Sequence, residues 1–133
     1  MKSLSSNGVR YLLIGGYAVN LYGYVRSTGG LDVWIANDPE NAAKVAGAVR
    51  GFGFKDASAE MFQDSGAIVR MGLPPVRIEI MTGIYGVEFD ACYERRQTME
   101  ISGLAVPVID LDDLKRNKRA AGRMKDLADL EEL

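Results

Sequence analysis

Apolar residues along this chain change their period several times, and each change marks an element. Tyr11-Leu12-Leu13-Ile14 is a short apolar run ending at Gly15-Gly16, and the YAVNLYGY that follows has helical apolar spacing up to Gly23. The pattern predicts a strand, a glycine turn and a short helix. In LDVWIA, Leu31, Val33 and Ile35 alternate with Asp32, Trp34 and Ala36, which is strand periodicity and turns Asp32 away from the aliphatic face. Asp38-Pro39 reads as the N-cap and first residue of a helix. It carries Ala42, Val45, Ala46 and Val49 at helical spacing until Gly51-Phe52-Gly53 breaks it.

Two strands are expected at 67–71 and 76–81, joined as a hairpin by the turn sequence Gly72-Leu73-Pro74-Pro75. In the second, Val76, Ile78 and Ile80 share one face while Arg77, Glu79 and Met81 share the other. Residues 98–108 are weaker strand material around Gly103. Asp110 caps a helix to about residue 121, and MKDLADLEEL forms a last helix with Leu127, Leu130 and Leu133 on one stripe. The order predicts an α/β (α+β) fold with a small mixed β-sheet flanked by helices and a C-terminal helical pair. Without repeats or a linker, residues 1–133 read as one domain.

Composition narrows the chemistry. The chain has 133 residues, 47% hydrophobic and 26% charged, and no apolar run approaches the roughly 18 residues of a membrane span. With no signal-peptide pattern at its start, a cytoplasmic location is expected. There is no histidine and one cysteine, Cys92. That excludes Ser-His-Asp and Cys-His catalysis and thiolate or imidazole zinc sites, leaving carboxylates, lysine, tyrosine or a hard metal. A net charge of −2 predicts no general nucleic-acid binding, although Lys115, Arg116, Lys118, Arg119, Arg123 and Lys125 could meet phosphate locally. Cys92, Trp34, Tyr85 and Tyr93 read as packing residues, with an aromatic ring near a cleft able to stack on a base.

Three segments carry a resemblance: GGYAVNLYGYVRSTGGLDVWIA at 15–36, RIEIMTGIYGVEF at 77–89, and the tail KRNKRAAGRMKDLADLEEL. Together they resemble the nucleotidyltransferase superfamily, in particular its abortive-infection-type branch, in which a GG turn precedes an R-x-T-x-D-hydrophobic-D strand. The resemblance implies a nucleotidyltransferase-like fold. It also implies transfer of a nucleoside monophosphate from a nucleoside triphosphate to a hydroxyl on a protein, an RNA or a small molecule.

In that chemistry, magnesium ions (or manganese) about 4 Å apart stabilise the attacking and leaving oxygens. Asp32 and Glu79 match the second and third metal-holding carboxylates and would be the catalytic and metal residues. Gly15, Gly16, Arg26, Thr28 and Lys118 match nucleotide-binding positions. Gly30 stands where the first carboxylate is expected, which should weaken magnesium binding, and Tyr22 stands near the place of a family histidine.

Plainer readings stand beside these. Asp32 and Glu79 could be solvated residues on the open side of a sheet, Arg26 and Thr28 loop residues, and Lys118 a side chain that snorkels out of the core. Lys125-Asp126 reads as a structural pair at a helix terminus. Two functions are carried forward: an enzyme impaired at Gly30, or a catalytically silent nucleotide- or partner-binding module such as a toxin-antitoxin component. A partner protein or a homodimer could complete the cleft.

Three structural expectations follow. Asp32 and Glu79 should lie on adjacent strands facing one cleft. Lys118 should line that cleft and be dispensable for folding. Aspartate at position 30 should restore the missing ligand at a cost within about 1 kcal/mol.

Overall fold

The computed structural model describes residues 2–26, 28–72 and 77–133. In chain order it contains α1 (Lys2–Ser6), β1 (Tyr11–Ile14), α2 (Gly15–Leu21), β2 (Gly30–Ile35), α3 (Pro39–Gly51), a 3-10 turn (Ala59–Phe62), β3 (Ile68–Met71) and β4 (Arg77–Met81). These are followed by α4 (Phe89–Glu94), β5 (Gln97–Ile101), β6 (Leu104–Val108), α5 (Leu111–Ala121) and α6 (Met124–Glu132). The strands form one mixed sheet in the order β3-β4-β2-β1-β6-β5. β2 runs parallel to β4 and β1 parallel to β6, and the other neighbours are antiparallel. This is the small mixed α/β sheet that the apolar pattern predicts.

β1 lies inside the sheet, which is why all four of its residues are apolar or aromatic and all are buried. Val33 and Ile35 of β2 are fully buried in the core that also takes Ala42, Val45, Ala46 and Val49 of α3. Full burial of a valine or isoleucine is worth roughly 1.5–3 kcal/mol. α3 begins as expected, with Asp38 accepting from the Asn41 amide at 3.0 Å and proline in the first turn. On the opposite phase of β2, Trp34 is buried edge-on against Phe89 of α4, with ring centroids 5.1 Å apart. α4 thus covers one end of that face, and Asp32 occupies the end left open.

Three differences from the sequence reading have physical causes. α1, α4 and the 3-10 turn span four to six residues, too few for a helical period to show. Residues 98–108 form two strands, because Ser102 and Gly103 both adopt positive φ, 51° and 80°, and turn a tight hairpin. The last helix buries Asp126 and Asp129, whereas Leu127 is 50% exposed. The inward stripe is therefore shared: it carries the two carboxylates, while of the expected leucines Leu130 and Leu133 are partly buried, Leu133 against the core. β3 and β4 pair antiparallel as a hairpin requires, while Leu73, Pro74, Pro75 and Val76 of the predicted turn and strand start lie outside the described residues.

Candidate functional site

Parallel pairing sets Asp32 of β2 directly beside Glu79 of β4. Since side chains at paired positions of neighbouring strands share a face, both carboxylates stand on the open side of the sheet. Gly15 joins β1 to α2 with no loop between them, at φ +67°, and any side chain there would run into the Asp32 carboxylate. Glycine is required at this position for both reasons. Arg26 and Thr28 lie over Gly16, where an added Cβ would come within 3.1 Å of each. The Thr28 hydroxyl also ties down the strand start, accepting from the Gly30 amide at 3.1 Å.

These residues line a single cleft of about 780 Å³, and every sequence-predicted site residue is on its wall: Gly15, Gly16, Arg26, Thr28, Asp32, Glu79 and Lys118. Arg77, Arg123, Lys125, Asn117 and Tyr85 join them. Tyr85, expected to pack, is 71% exposed at the rim. Arg77 was signalled only by standing two residues before Glu79 on the same strand phase. Lys125 was hidden by its reading as half of a structural pair. The predicted basic cluster divides: Lys118, Arg123 and Lys125 face the cleft, while Arg116 turns to Asp113 at 2.8 Å.

Behind the wall lies a buried ionic network. Lys118 Nζ is 3.2 Å from Asp126 Oδ1 and 3.0 Å from Asp129 Oδ2. Arg123 Nε donates to Asp126 at 2.7 Å, and Arg26 holds Asp129 with both Nε and Nη2, at 2.7 and 2.8 Å. Burial alone would raise both aspartates, but hydrogen bonds from Arg123 and Lys118 hold Asp126 below the usual range, and those from Arg26 and Lys118 do the same for Asp129. Lys118 sits on the cleft wall with its ammonium committed to two buried carboxylates and its side chain 4% exposed. The expectation that it is dispensable for folding is revised accordingly. Asp126 is structural, as expected; its partner in that reading, Lys125, lines the cleft.

The sheet carboxylates are in another situation. Burial pushes the Asp32 carboxyl above its ordinary value and the charge of Glu79 adds to the rise, with Lys125, Lys118 and Arg77 pulling the other way. Glu79 Oε1 lies 3.1 Å from Arg70 Nε and 3.1 Å from Arg77 Nη2.

Does this donor set fit a pair of magnesium ions? Such ions take several oxygen ligands each and, in two-metal sites, share carboxylates. Among the described residues no group of three or more carboxylate, thiolate or imidazole side chains could hold a metal ion. Position 30 supplies no ligand, and Glu79 is already flanked by two guanidinium groups. The residues present do not fit two ions. Nor would aspartate at 30 be the simple repair that strand alternation suggests: Gly30 has φ +157°, and a Cβ there would strike the carbonyl oxygen and carbon of Arg77 on the paired strand.

This glycine-turn, carboxylate-strand and C-terminal helix arrangement is that of a nucleotidyltransferase-type fold. The chain belongs to the family described as nucleotidyl transferase of unknown function (DUF2204), whose model matches residues 1–133. Among solved structures it is similar to a candidate nucleotidyltransferase from Thermotoga maritima, with a TM-score of 0.66 and 16% identity over 98% of this chain and 85% of that one. It is also similar to an antigenic nucleotidyltransferase-like protein from Paracoccidioides brasiliensis, with a TM-score of 0.57 and 20% identity over 98% and 69% of the two chains. At those identities the likeness shows the fold. No curated protein matches the chain. Among the described residues no helix is long and apolar enough to cross a membrane.

Proposed function

We propose that the cleft binds a nucleoside triphosphate and that nucleotidyl transfer is reduced or lost. The observation that carries this reading is the registered pair Asp32 and Glu79 beneath a wall of cations, with backbone alone at position 30. Arg77, Arg123 and Lys125 bring positive charge to the cleft from β4, the α5–α6 turn and α6. The exposed ring of Tyr85 offers a stacking surface for a base at the rim.

The geometry supports binding better than catalysis, because transfer depends on positioning and charge neutralisation by metals that this donor set does not fit. Transfer to a hydroxyl acceptor is the second reading, favoured by family membership and by the retained carboxylate pair. Two measurements separate them: calorimetric titration with the four common nucleoside triphosphates, and label transfer from the radiolabelled forms with a cell extract as acceptor source. Binding without transfer is the expected result. Labelled acceptor that disappears in Asp32→Asn would establish the enzyme instead, and no binding of any triphosphate would remove the cleft reading.

A further inference from the structure

Arg77 stands between the position of the missing carboxylate and the retained one. It pairs in register with Gly30 on β2, and its Nη2 lies 3.1 Å from Glu79 Oε1. A Cβ added at Gly29 would come within 3.4 Å of that same Nη2, so the guanidinium lies along the Gly29-Gly30 backbone. A carboxylate side chain at position 30 and this backbone packing exclude one another, because the Cβ of such a residue would meet the Arg77 carbonyl and Cβ. The missing acid and the fixed base are therefore two sides of one arrangement.

Arg77 Nε is buried and has no hydrogen-bond partner. Native proteins leave few buried donors unmatched, and the rest of the Arg77 side chain is partly exposed on the cleft wall. The charge balance points the same way. Of the cleft-lining side chains, Arg26, Arg77, Lys118, Arg123 and Lys125 are cationic and Asp32 and Glu79 anionic; with Asp126 and Asp129, which Lys118, Arg26 and Arg123 hold behind the wall, five cations stand against four carboxylates, a balance of +1. Lys125 pairs with no carboxylate among the described residues, and its charge acts on Asp32.

We infer that Arg77 takes the place of a divalent metal ion at Glu79, so that the cleft receives the polyphosphate as a bare anion through the forked donors of Arg77 together with Arg123 and Lys125. This rests on the nucleotide-binding reading above and names the form of the ligand. Magnesium would neutralise part of the anion before it arrived. It should therefore weaken binding, the reverse of what a metal-dependent site shows.

The probes are ATP and inorganic tripolyphosphate, titrated into the full chain in excess EDTA and again in excess magnesium chloride. Affinity is expected to be higher in EDTA for both. In EDTA, Arg77→Met should weaken tripolyphosphate binding at least ten-fold and Arg77→Lys should recover part of that loss. Lys125→Ala, on an exposed side chain that folding does not need, should weaken it several-fold. Binding that tightens on adding magnesium would overturn the inference while leaving nucleotide binding in place. So would an unchanged affinity in folded Arg77→Met or, should that variant fail to fold, in Lys125→Ala. Absence of binding in both buffers would overturn the cleft reading itself.

Discussion

Carboxylates stand in pairs on the cleft wall and behind it, and Asp32 of the first pair meets the opposite fate from Asp126 and Asp129 of the second. Asp126 and Asp129 on α6 are the more deeply buried, yet both are held below the usual aspartate range. Asp32, beside Glu79 on the sheet, is less buried and is pushed up. Loss of solvation by itself pushes all three aspartates up. What decides is which carboxylates the cations touch: Lys118, Arg123 and Arg26 converge on the helix pair within hydrogen-bond distance, whereas on the sheet Arg70 and Arg77 reach Glu79 and leave Asp32 with a like charge beside it and cations acting only at a distance. Buried charge is stable when saturated and available for binding when it is not.

The sharpest way to break this comparison is to remove the shared cation. Lys118→Met should cost about 3–5 kcal/mol, the usual penalty for stripping one partner from a buried ionic group. Urea unfolding measures it, and a loss below about 1 kcal/mol would mean that the helix pair is not saturated as described.

Next comes the response to acid. Asp113, Asp126 and Asp129 all have depressed values in the folded state. The stability they contribute is fully present above the unfolded aspartate value of about 4, and is lost as pH falls through their lower folded values. Asp32 has the opposite sign, since its raised value favours the folded state as pH falls toward 4. With three groups against one, the unfolding midpoint should fall steeply below about pH 4. Asp32→Asn should remove any shallow rise that precedes it.

A smaller change is expected from Gly30→Asp. Its Cβ meets the Arg77 carbonyl and its backbone conformation is one that side chains rarely adopt, so about 2 kcal/mol should be lost. Label transfer should not appear. A variant as stable as the parent that gains transferase activity would show that the strand can shift to admit a third ligand.

The smallest effect belongs to Asp32→Asn itself at neutral pH. Removing one of two adjacent like charges should leave stability unchanged or raise it by up to about 1 kcal/mol, whereas Asp129→Asn should lower it. Equal losses for the two would erase the contrast between the pairs.

Much of this was legible in the sequence. Strand alternation in LDVWIA and RIEIM was enough to put Asp32 and Glu79 on the polar phase of two strands, and register then made them neighbours. Helical phase put Lys118 on the inward face of α5, where it is 3% exposed. What the pattern could not show is what those side chains meet. Asp126 reads only as half of a helix-terminal pair with Lys125, and Asp129 carries no signal at all, because their partners Arg26 and Lys118 are distant in sequence or on another helix. Gly30 read as a vacancy because a sequence has no neighbouring strand, and the carbonyl that closes the position belongs to Arg77. Short elements such as α4 were missed because six residues do not complete two helical turns.

The bond between Arg26 and Asp129 spans 103 residues. At ribosomal speeds of about 5–20 residues per second, roughly 5–20 s separate the synthesis of its two ends. Through that interval the loop leading into β2 has been made, but the carboxylate that fixes its arginine has not. The cleft wall can close only after residue 129 has been added, so a chain truncated anywhere in α5 should fail to retain any polyphosphate.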